Sequence, residues 1–174
     1  MSFKIILGLF LASISFHSFA ASTLVGKPAP TFELKNQAGQ IIKLTDRKDK
    51  GFTVLFFYPK AGTPGCTKQV CAFRDSIKSI KNLGAEVYGI STDSVASQKK
   101  FFDEHKLSFD LLSDESGAIS TAYGVKMPLV TIAKRQTFIV DRDLKIVEHF
   151  EDVDPALDPK KVSDAIAALT KKSF

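Results

Sequence analysis

Both cysteines of the chain, Cys66 and Cys71, lie five positions apart in the stretch FYPKAGTPGCTKQVCAF, residues 57–73. Two cysteines this close together can form a structural disulfide, hold a metal ion or act as a redox pair. Cys66 stands where an apolar, strand-like run gives way to a helical pattern. The N-terminus of a helix carries a partial positive charge and unpaired N–H groups, and both favour a thiolate over a thiol. Cys66 is therefore the candidate reactive sulfur.

The loop before Cys66 carries groups that suit a reactive sulfur. Thr63 precedes Cys66 by three residues, and its hydroxyl can donate a hydrogen bond to the sulfur or bind an oxygen of a substrate. Pro59 and Pro64 stiffen the loop and remove two N–H groups that would otherwise compete or attract water. The composition of the loop thus favours a preformed environment around Cys66.

The spacing of the two cysteines bears on whether they can form a permanent disulfide. On an intact α-helix, Cα atoms five residues apart are about 8–9 Å apart, and their side chains point roughly 140° apart. A disulfide tolerates a Cα separation of no more than about 7 Å. If the predicted helix forms, Cys66 and Cys71 can therefore bond only when its first turns unwind. This favours a redox pair over a structural disulfide.

The same spacing argues against a metal site and against a thioredoxin-type reductase. A Cys-x2-Cys zinc pattern is absent, and a thioredoxin-type reductase would also show Cys-x2-Cys. A copper-delivery protein would offer Cys-x3-Cys with a distal histidine, whereas the spacing here is Cys-x4-Cys. No histidine follows the cysteines at ligand spacing, and we assign His105 and His149 to surface or structural positions. We expect no metal.

Length and charge indicate a single folded domain with an ordinary surface. A chain of 174 residues can bury a core that needs no disulfide to fold. The net charge is +5, but the lysines are interspersed with acidic residues, as in Lys48, Asp49 and Lys50. This pattern is typical of a solvated surface of mixed charge. We expect no nucleic-acid partner.

The first twenty residues have the form of a secretory signal peptide. MSFK supplies a positive start, IILGLFLASISF is apolar, and SFA followed by AS offers small residues at the cleavage positions. The apolar run is shorter than the ~20 residues that a membrane-spanning helix needs. We expect cleavage after Ala20, a domain at 21–174, no stable membrane association, and a periplasmic or secreted location. In such an oxidising compartment a cysteine pair is by default a structural disulfide.

The elements predicted along the chain place the cysteine loop between a buried strand and an amphipathic helix. Apolar residues three and four positions apart predict that helix, and they are Val70, Phe73, Ile77 and Ile80. A hairpin turns at 36–39, and strands or helices alternate from 52 to 124. A second hairpin spans 135–153 and a last helix 158–172. This order predicts an α/β, thioredoxin-like fold with an N-terminal β-hairpin, a central mixed sheet and helices on both faces.

The segment YPKAGTPGCTKQVCAFRD, residues 58–75, resembles the active-site segment of the peroxiredoxins. It is most similar to the bacterioferritin comigratory protein or peroxiredoxin Q branch, whose members carry two cysteines in one chain. The family pattern Pro-x3-Thr-x2-Cys is met by Pro59, Thr63 and Cys66. The resemblance covers most of the chain, including VGKPAPTFEL, LLSDESGAISTAYGV and RQTFIVD.

The resemblance implies a role for five residues. Cys66 matches the peroxidatic cysteine, and Cys71 matches the resolving cysteine on the same helix. Thr63 and Arg135 match the polar residues that hold the peroxide and the thiolate. Pro59 matches the residue that shields the sulfur. Spacing alone would have left Arg135 as a surface charge at the edge of a strand.

One position departs from the branch, and the implied function leaves alternatives open. Gln69 stands where the branch usually has glutamate, so the side chain can bond an arginine but supplies no negative charge. The resemblance implies a thiol-dependent peroxidase for hydrogen peroxide and organic hydroperoxides, without metal or bound cofactor, reset by a thioredoxin-like reductant and acting as a monomer. The alternatives are an exported thiol–disulfide oxidoreductase and a non-catalytic domain stabilised by a disulfide.

Overall fold

The computed structural model describes residues 24–172, so the leader expected at 1–20 lies outside the described residues. One seven-stranded mixed sheet has the order β2-β1-β5-β4-β3-β6-β7. Its strands are β1 (Glu33–Asn36), β2 (Ile41–Lys43), β3 (Phe52–Phe57), β4 (Ala85–Ser91), β5 (Asp110–Ser113), β6 (Gln136–Val140) and β7 (Ile146–Phe150). The α-helices are α1 (Pro64–Asn82), α2 (Val95–Glu104), α3 (Ala118–Ala122) and α4 (Asp158–Lys172).

β3 is the central strand, and its pairing sets the position of the site. It pairs in parallel with β4 and antiparallel with β6, and Phe57 lies opposite Gln136. Because β6 runs against β3, the residue before β6 lies beside the carboxyl end of β3. The register therefore brings Arg135 to the edge where β3 leads into the cysteine loop.

Side chains alternate along β3 and divide the apolar core into two layers. Val54 and Phe56 belong to the layer covered by α1, α2 and α4. Leu55 and Phe57 belong to the layer covered by α3, a 3-10 helix at Leu44–Arg47 and the N-terminal segment. Helices thus lie on both faces of the sheet, as predicted.

α1 carries both cysteines, and its start and end follow from local residues. Thr63 is the N-cap with an extended backbone, and Pro64 occupies the first turn, where its missing N–H leaves no helical bond unmade. Gly84, just beyond the end, has a φ of 77°, in the left-handed region that favours glycine. Three side chains on the apolar face of α1 are buried in the core: Val70, Phe73 and Ile80. The burial of each side chain contributes about 1.5–3 kcal/mol to the stability of the fold.

Both predicted hairpins are confirmed, because β1 pairs with β2 and β6 pairs with β7, each antiparallel. β1 also pairs antiparallel with β5, which joins the N-terminal hairpin to the central sheet. The 3-10 helix at Leu44–Arg47 was not predicted, since a single buried residue, Leu44, holds it to the core. No helix within residues 24–172 is long and apolar enough to cross a membrane.

Candidate active site

Cys66 lies in the first turn of α1 and is fully buried. At the third helical position its backbone N–H has no intrahelical partner, because the first bond of the helix joins the N–H of Thr67 to the carbonyl of Thr63. The sulfur therefore lies near an unpaired donor and the positive end of a helix. The predicted position at a strand-to-helix turn is confirmed.

Arg135 provides a charged contact to the sulfur of Cys66. Its Nη2 donates to Cys66 Sγ at 3.3 Å. Gly65 makes room for this approach, since a Cβ on Gly65 would lie 3.2 Å from Nη2. The guanidinium thus contacts the sulfur directly, and it can stabilise negative charge on an oxygen bound next to the sulfur.

Gln69 and Asp158 hold the other side of the guanidinium. Arg135 Nη1 donates to Gln69 Oε1, and Gln69 Nε2 donates to Asp158 Oδ2 at 2.7 Å. Thr137 Oγ1 donates to the same carboxylate oxygen at 2.8 Å. Burial raises the pKa of Asp158, while the bonds from Gln69 and Thr137 and the charge of Arg135 act in the opposite direction.

Thr63 and Pro59 lie in the loop that joins β3 to α1, as predicted. Thr63 caps α1 through its backbone only, and its hydroxyl donates to the carbonyl of Lys60 at 3.0 Å. In this state the single hydroxyl proton of Thr63 is therefore not directed at the sulfur. Pro59 is half-buried, and its ring removes a backbone donor beside the buried end of β3.

A network at the end of β4 anchors the same loop. Asp93 Oδ2 accepts from the backbone N–H of Ala61 at 2.8 Å and from Ser91 Oγ at 2.7 Å. Gln98 Nε2 donates to Ser91 Oγ, and Gln98 Oε1 accepts from the hydroxyl of Tyr58. Asp93 lies between β4 and α2, directly before Ser94, the N-cap of α2, and its carboxylate binds the backbone of the cysteine loop. The neighbouring carboxyl ends of two parallel strands are the signal that could have found it.

Cys71 lies one turn and a half further along α1 and is half-buried. Its sulfur is 3.9 Å from His105 Nδ1, and Arg74 Nη1 donates to the carbonyl of His105 at 3.0 Å. Cys66 and Cys71 are both free. Since α1 is continuous through both positions, a bond between them requires the helix to unwind.

The described part of the chain, residues 24–172, contains no group of three or more histidine, cysteine or acidic side chains placed to hold a metal ion. The chemistry that this arrangement can perform is that of a buried sulfur next to a cation. Arg135 can stabilise both a thiolate and a developing oxyanion, and Cys71 offers a second sulfur within the same helix.

Residues 25–149 match the model of the AhpC/TSA family. The chain belongs to this family. Among curated members, a chloroplastic peroxiredoxin Q of Oryza sativa subsp. japonica is 46% identical over 119 residues, which are 68% of this chain and 54% of the relative. The chloroplastic peroxiredoxin Q of Sedum lineare is 44% identical over 128 residues, 73% of this chain and 68% of the relative. The chain thus spans about half the length of the Oryza relative.

A solved structure agrees with the fold. The crystal structure of peroxidoxin BcpB from Mycobacterium tuberculosis superposes with a TM-score of 0.78 at 36% identity, covering 83% of this chain and 96% of that one. The predicted thioredoxin-like fold is therefore confirmed. The predicted resemblance to the peroxiredoxin Q and bacterioferritin comigratory protein branch of the family is confirmed as well.

The expected periplasmic or secreted location is wrong. The curated relatives are chloroplastic peroxiredoxin Q proteins, which points to organelle targeting rather than to export. The physical reason is that a short apolar run with one lysine describes the chemistry of a leader, whereas its destination is read by a receptor. The expectation of a structural disulfide by default depended on that oxidising compartment, and it no longer holds.

Proposed function

We propose that this chain is a thiol-dependent peroxidase that reduces hydrogen peroxide and organic hydroperoxides. The observation that carries the proposal is the buried sulfur of Cys66, in the first turn of α1 and 3.3 Å from the guanidinium of Arg135. The relatives, which are peroxiredoxins, support the same chemistry. Arg135 and Cys66 are assigned the roles that the family resemblance implies.

The first step is attack of the Cys66 thiolate on one oxygen of the peroxide. The S–O bond forms as the O–O bond breaks, so that the sulfur is oxidised to sulfenic acid and the peroxide is reduced. The departing oxygen carries negative charge, which Arg135 and the backbone N–H of Cys66 stabilise. Thr63 binds the peroxide once its hydroxyl turns from Lys60. The departing oxygen takes up a proton and leaves as water or an alcohol.

The second step joins the two sulfurs. The first turns of α1 unwind, and the Cys71 thiol attacks the sulfenic acid of Cys66. Water leaves with the hydroxyl oxygen, and an intramolecular disulfide remains. A thioredoxin-like dithiol then restores both thiols by exchange and is itself oxidised. No metal or bound organic cofactor takes part in this cycle.

The organisation of the chain in this proposal follows the sequence. A leader at 1–20 is removed, and the domain at 21–174 carries the activity. Because Cys71 lies on the same helix as Cys66, disulfide formation needs no second chain, and we assign the active unit to a monomer.

Stopped-flow oxidation of the reduced protein by hydrogen peroxide tests the proposal. Cys66→Ser will abolish peroxide consumption, because it removes the nucleophile. Cys71→Ser will keep one rapid oxidation and accumulate sulfenic acid, which mass spectrometry detects as one added oxygen. The proposal fails if the Cys66→Ser protein consumes peroxide at the parent rate. A thiol–disulfide oxidoreductase would instead reduce insulin and leave peroxide untouched.

A further inference from the structure

Gln69 is held between two side chains of opposite hydrogen-bonding character. Arg135 can only donate, and it donates to Gln69 Oε1. The Asp158 carboxylate accepts, and it receives the bond from Gln69 Nε2 at 2.7 Å. Only one orientation of the Gln69 amide satisfies both neighbours. The Asp158 carboxylate and the Arg135 guanidinium therefore select the same orientation of the Gln69 amide, and Asp158 anchors the end of the amide that faces away from Arg135.

We infer that Asp158 is a positioning residue for the oxidation of Cys66, acting through the Gln69 amide to hold the Arg135 guanidinium against the sulfur. The inference rests on the proposed peroxidase function. The hydrogen bonds of the Asp158 side chain go to Gln69 and Thr137, whereas Arg135 bonds the sulfur, so the contribution of Asp158 is the geometry of Arg135. Three separate elements meet in this chain of contacts: α1, the start of β6 and the start of α4.

The burial of Asp158 supports a role beyond stability. Its side chain is fully buried, which disfavours an ionised carboxylate strongly unless partners compensate. One oxygen accepts from Gln69 and Thr137, whereas Oδ1 has no hydrogen-bond partner among the described residues. Asp158 lies in the first turn of α4, where a carboxylate is stabilising because it faces the positive end of the helix dipole. An exposed carboxylate would serve that purpose, whereas the buried carboxylate also holds Gln69.

The positive charge of Arg135 acts on Asp158 through space, with the Gln69 amide between the two side chains. The guanidinium lies between the sulfur of Cys66 on one side and the Gln69–Asp158 pair on the other. Lys161, on the next turn of α4, is the other positive group that acts on Asp158. The Gln69 amide is oriented by Asp158 so that its oxygen, the negative end of the amide dipole, faces Arg135. The lack of charge at position 69 is thus compensated from α4.

The test compares Asp158→Ala with Val162→Ala, each in a Cys71→Ser background so that only the first oxidation is measured. Asp158→Ala will slow the second-order oxidation of Cys66 by about tenfold to a hundredfold, since a misplaced catalytic group costs up to that much. Val162 is a fully buried core residue on the same helix. Its truncation will lower the melting temperature and leave the rate of Cys66 oxidation unchanged.

A charge relocation separates positioning from folding. Gln69→Glu alone places two carboxylates side by side and will slow oxidation, because they repel each other and one must take up a proton. Gln69→Glu with Asp158→Asn restores one acceptor towards Arg135 and one donor towards position 69. We expect this double variant to oxidise within about threefold of the parent, a difference below 1 kcal/mol in the barrier.

The outcomes distinguish this inference from the proposed function. If the parent protein fails to react with hydrogen peroxide, the peroxidase proposal itself is wrong. If the parent reacts and Asp158→Ala matches it in the rate of Cys66 oxidation, Asp158 is structural only. A double variant as slow as Gln69→Glu would also overturn the inference.

Discussion

The guanidinium of Arg135 is fixed by contacts on two sides. Nη2 reaches Cys66 and Nη1 reaches Gln69, so a small displacement of the group changes both contacts at once. Gly65 forms the floor under Nη2, where any side chain would press on it. Gly65 therefore contributes to the site by having no side chain, which leaves room for Arg135 beside the sulfur.

Gly65→Ala should separate activity from stability. Gly65 has no positive φ and lies in the first turn of α1, so alanine fits the backbone and will leave the melting temperature unchanged or raise it. Its Cβ would press on Arg135 Nη2, because the two atoms would be 3.2 Å apart. We expect Cys66 oxidation to slow about tenfold. Thermal unfolding and stopped-flow oxidation of the same samples check this, and a variant that is as fast as the parent would contradict it.

Residues adjacent in sequence to the reactive sulfur were predictable, whereas distant partners were not. Cys66, Thr63 and Pro59 follow from one loop and its pattern. Only the family resemblance indicated a role for Arg135, because its proximity to Cys66 depends on the antiparallel pairing of β6 with β3. Gln69 and Asp158 are 89 positions apart, and no periodicity or motif links them. The sequence suggested a missing charge at position 69, and the tertiary fold supplies it.

At the scale of elements, α1 has two segments with different tasks. The part after Cys71 packs through Phe73 and Ile80 against the sheet and holds the helix in place. The part from Cys66 to Cys71 must open if the two sulfurs are to meet. Disulfide formation should therefore depend on the helical propensity of this short segment.

Lys68→Gly should accelerate disulfide formation. Lys68 is exposed within the segment between the two cysteines, and glycine lowers helix stability there by about 0.7 kcal/mol, roughly a threefold gain in the unwound form. We expect the second step to be faster by that factor and the first step to be unchanged. A time course of disulfide formation followed by mass spectrometry measures the rate of this second step.

Lys78→Gly is the matched control for this prediction. Lys78 is also exposed on α1 but lies beyond Cys71. This substitution will lower the stability of the protein by a similar amount and leave the rate of disulfide formation unaltered. Equal acceleration by the two glycines would show that the whole helix, not its first turns, opens.

Local patterns predicted the elements better than their assembly. Both hairpins and the strand–helix unit around the cysteines follow from alternation and from three-and-four spacing. The pairing of β1 with β5 could not be foreseen, because edge pairing depends on contacts between segments about 75 residues apart. The 3-10 helix was missed since its single buried leucine also fits the end of a strand.

At the scale of the whole molecule, a histidine on the edge strand β7 links the stability of the fold to pH. His149 on β7 stacks on Phe138 with ring centroids 4.1 Å apart, and its Nε2 lies 3.0 Å from Gln136 Oε1. Burial lowers the pKa of His149 below its ordinary value of 6.5, although Glu151 acts in the opposite direction. The unfolded chain therefore binds the proton at a higher pH than the folded chain does. Stability contributed by neutral His149 is lost as the pH falls below 6.5.

His149→Gln should make the protein less sensitive to mild acid. The parent will lose unfolding free energy between about pH 7 and pH 5, the range in which the unfolded histidine takes up its proton. The variant will show a shallower slope over that range and the same slope above it. Urea unfolding at a series of pH values gives both slopes. Identical slopes below pH 7 would refute the assignment to His149.

The position of Gln69 between Cys66 and Cys71 has a further consequence. When this segment uncoils to join the sulfurs, Gln69 must release both Arg135 and Asp158, so the guanidinium loses its support at the moment the disulfide closes. We expect the oxidised protein to have no functioning peroxide pocket until its helix has been rebuilt. The same short segment of backbone would then be helical when the protein binds peroxide and unwound while the disulfide is available to a reductant, so the two states exclude each other.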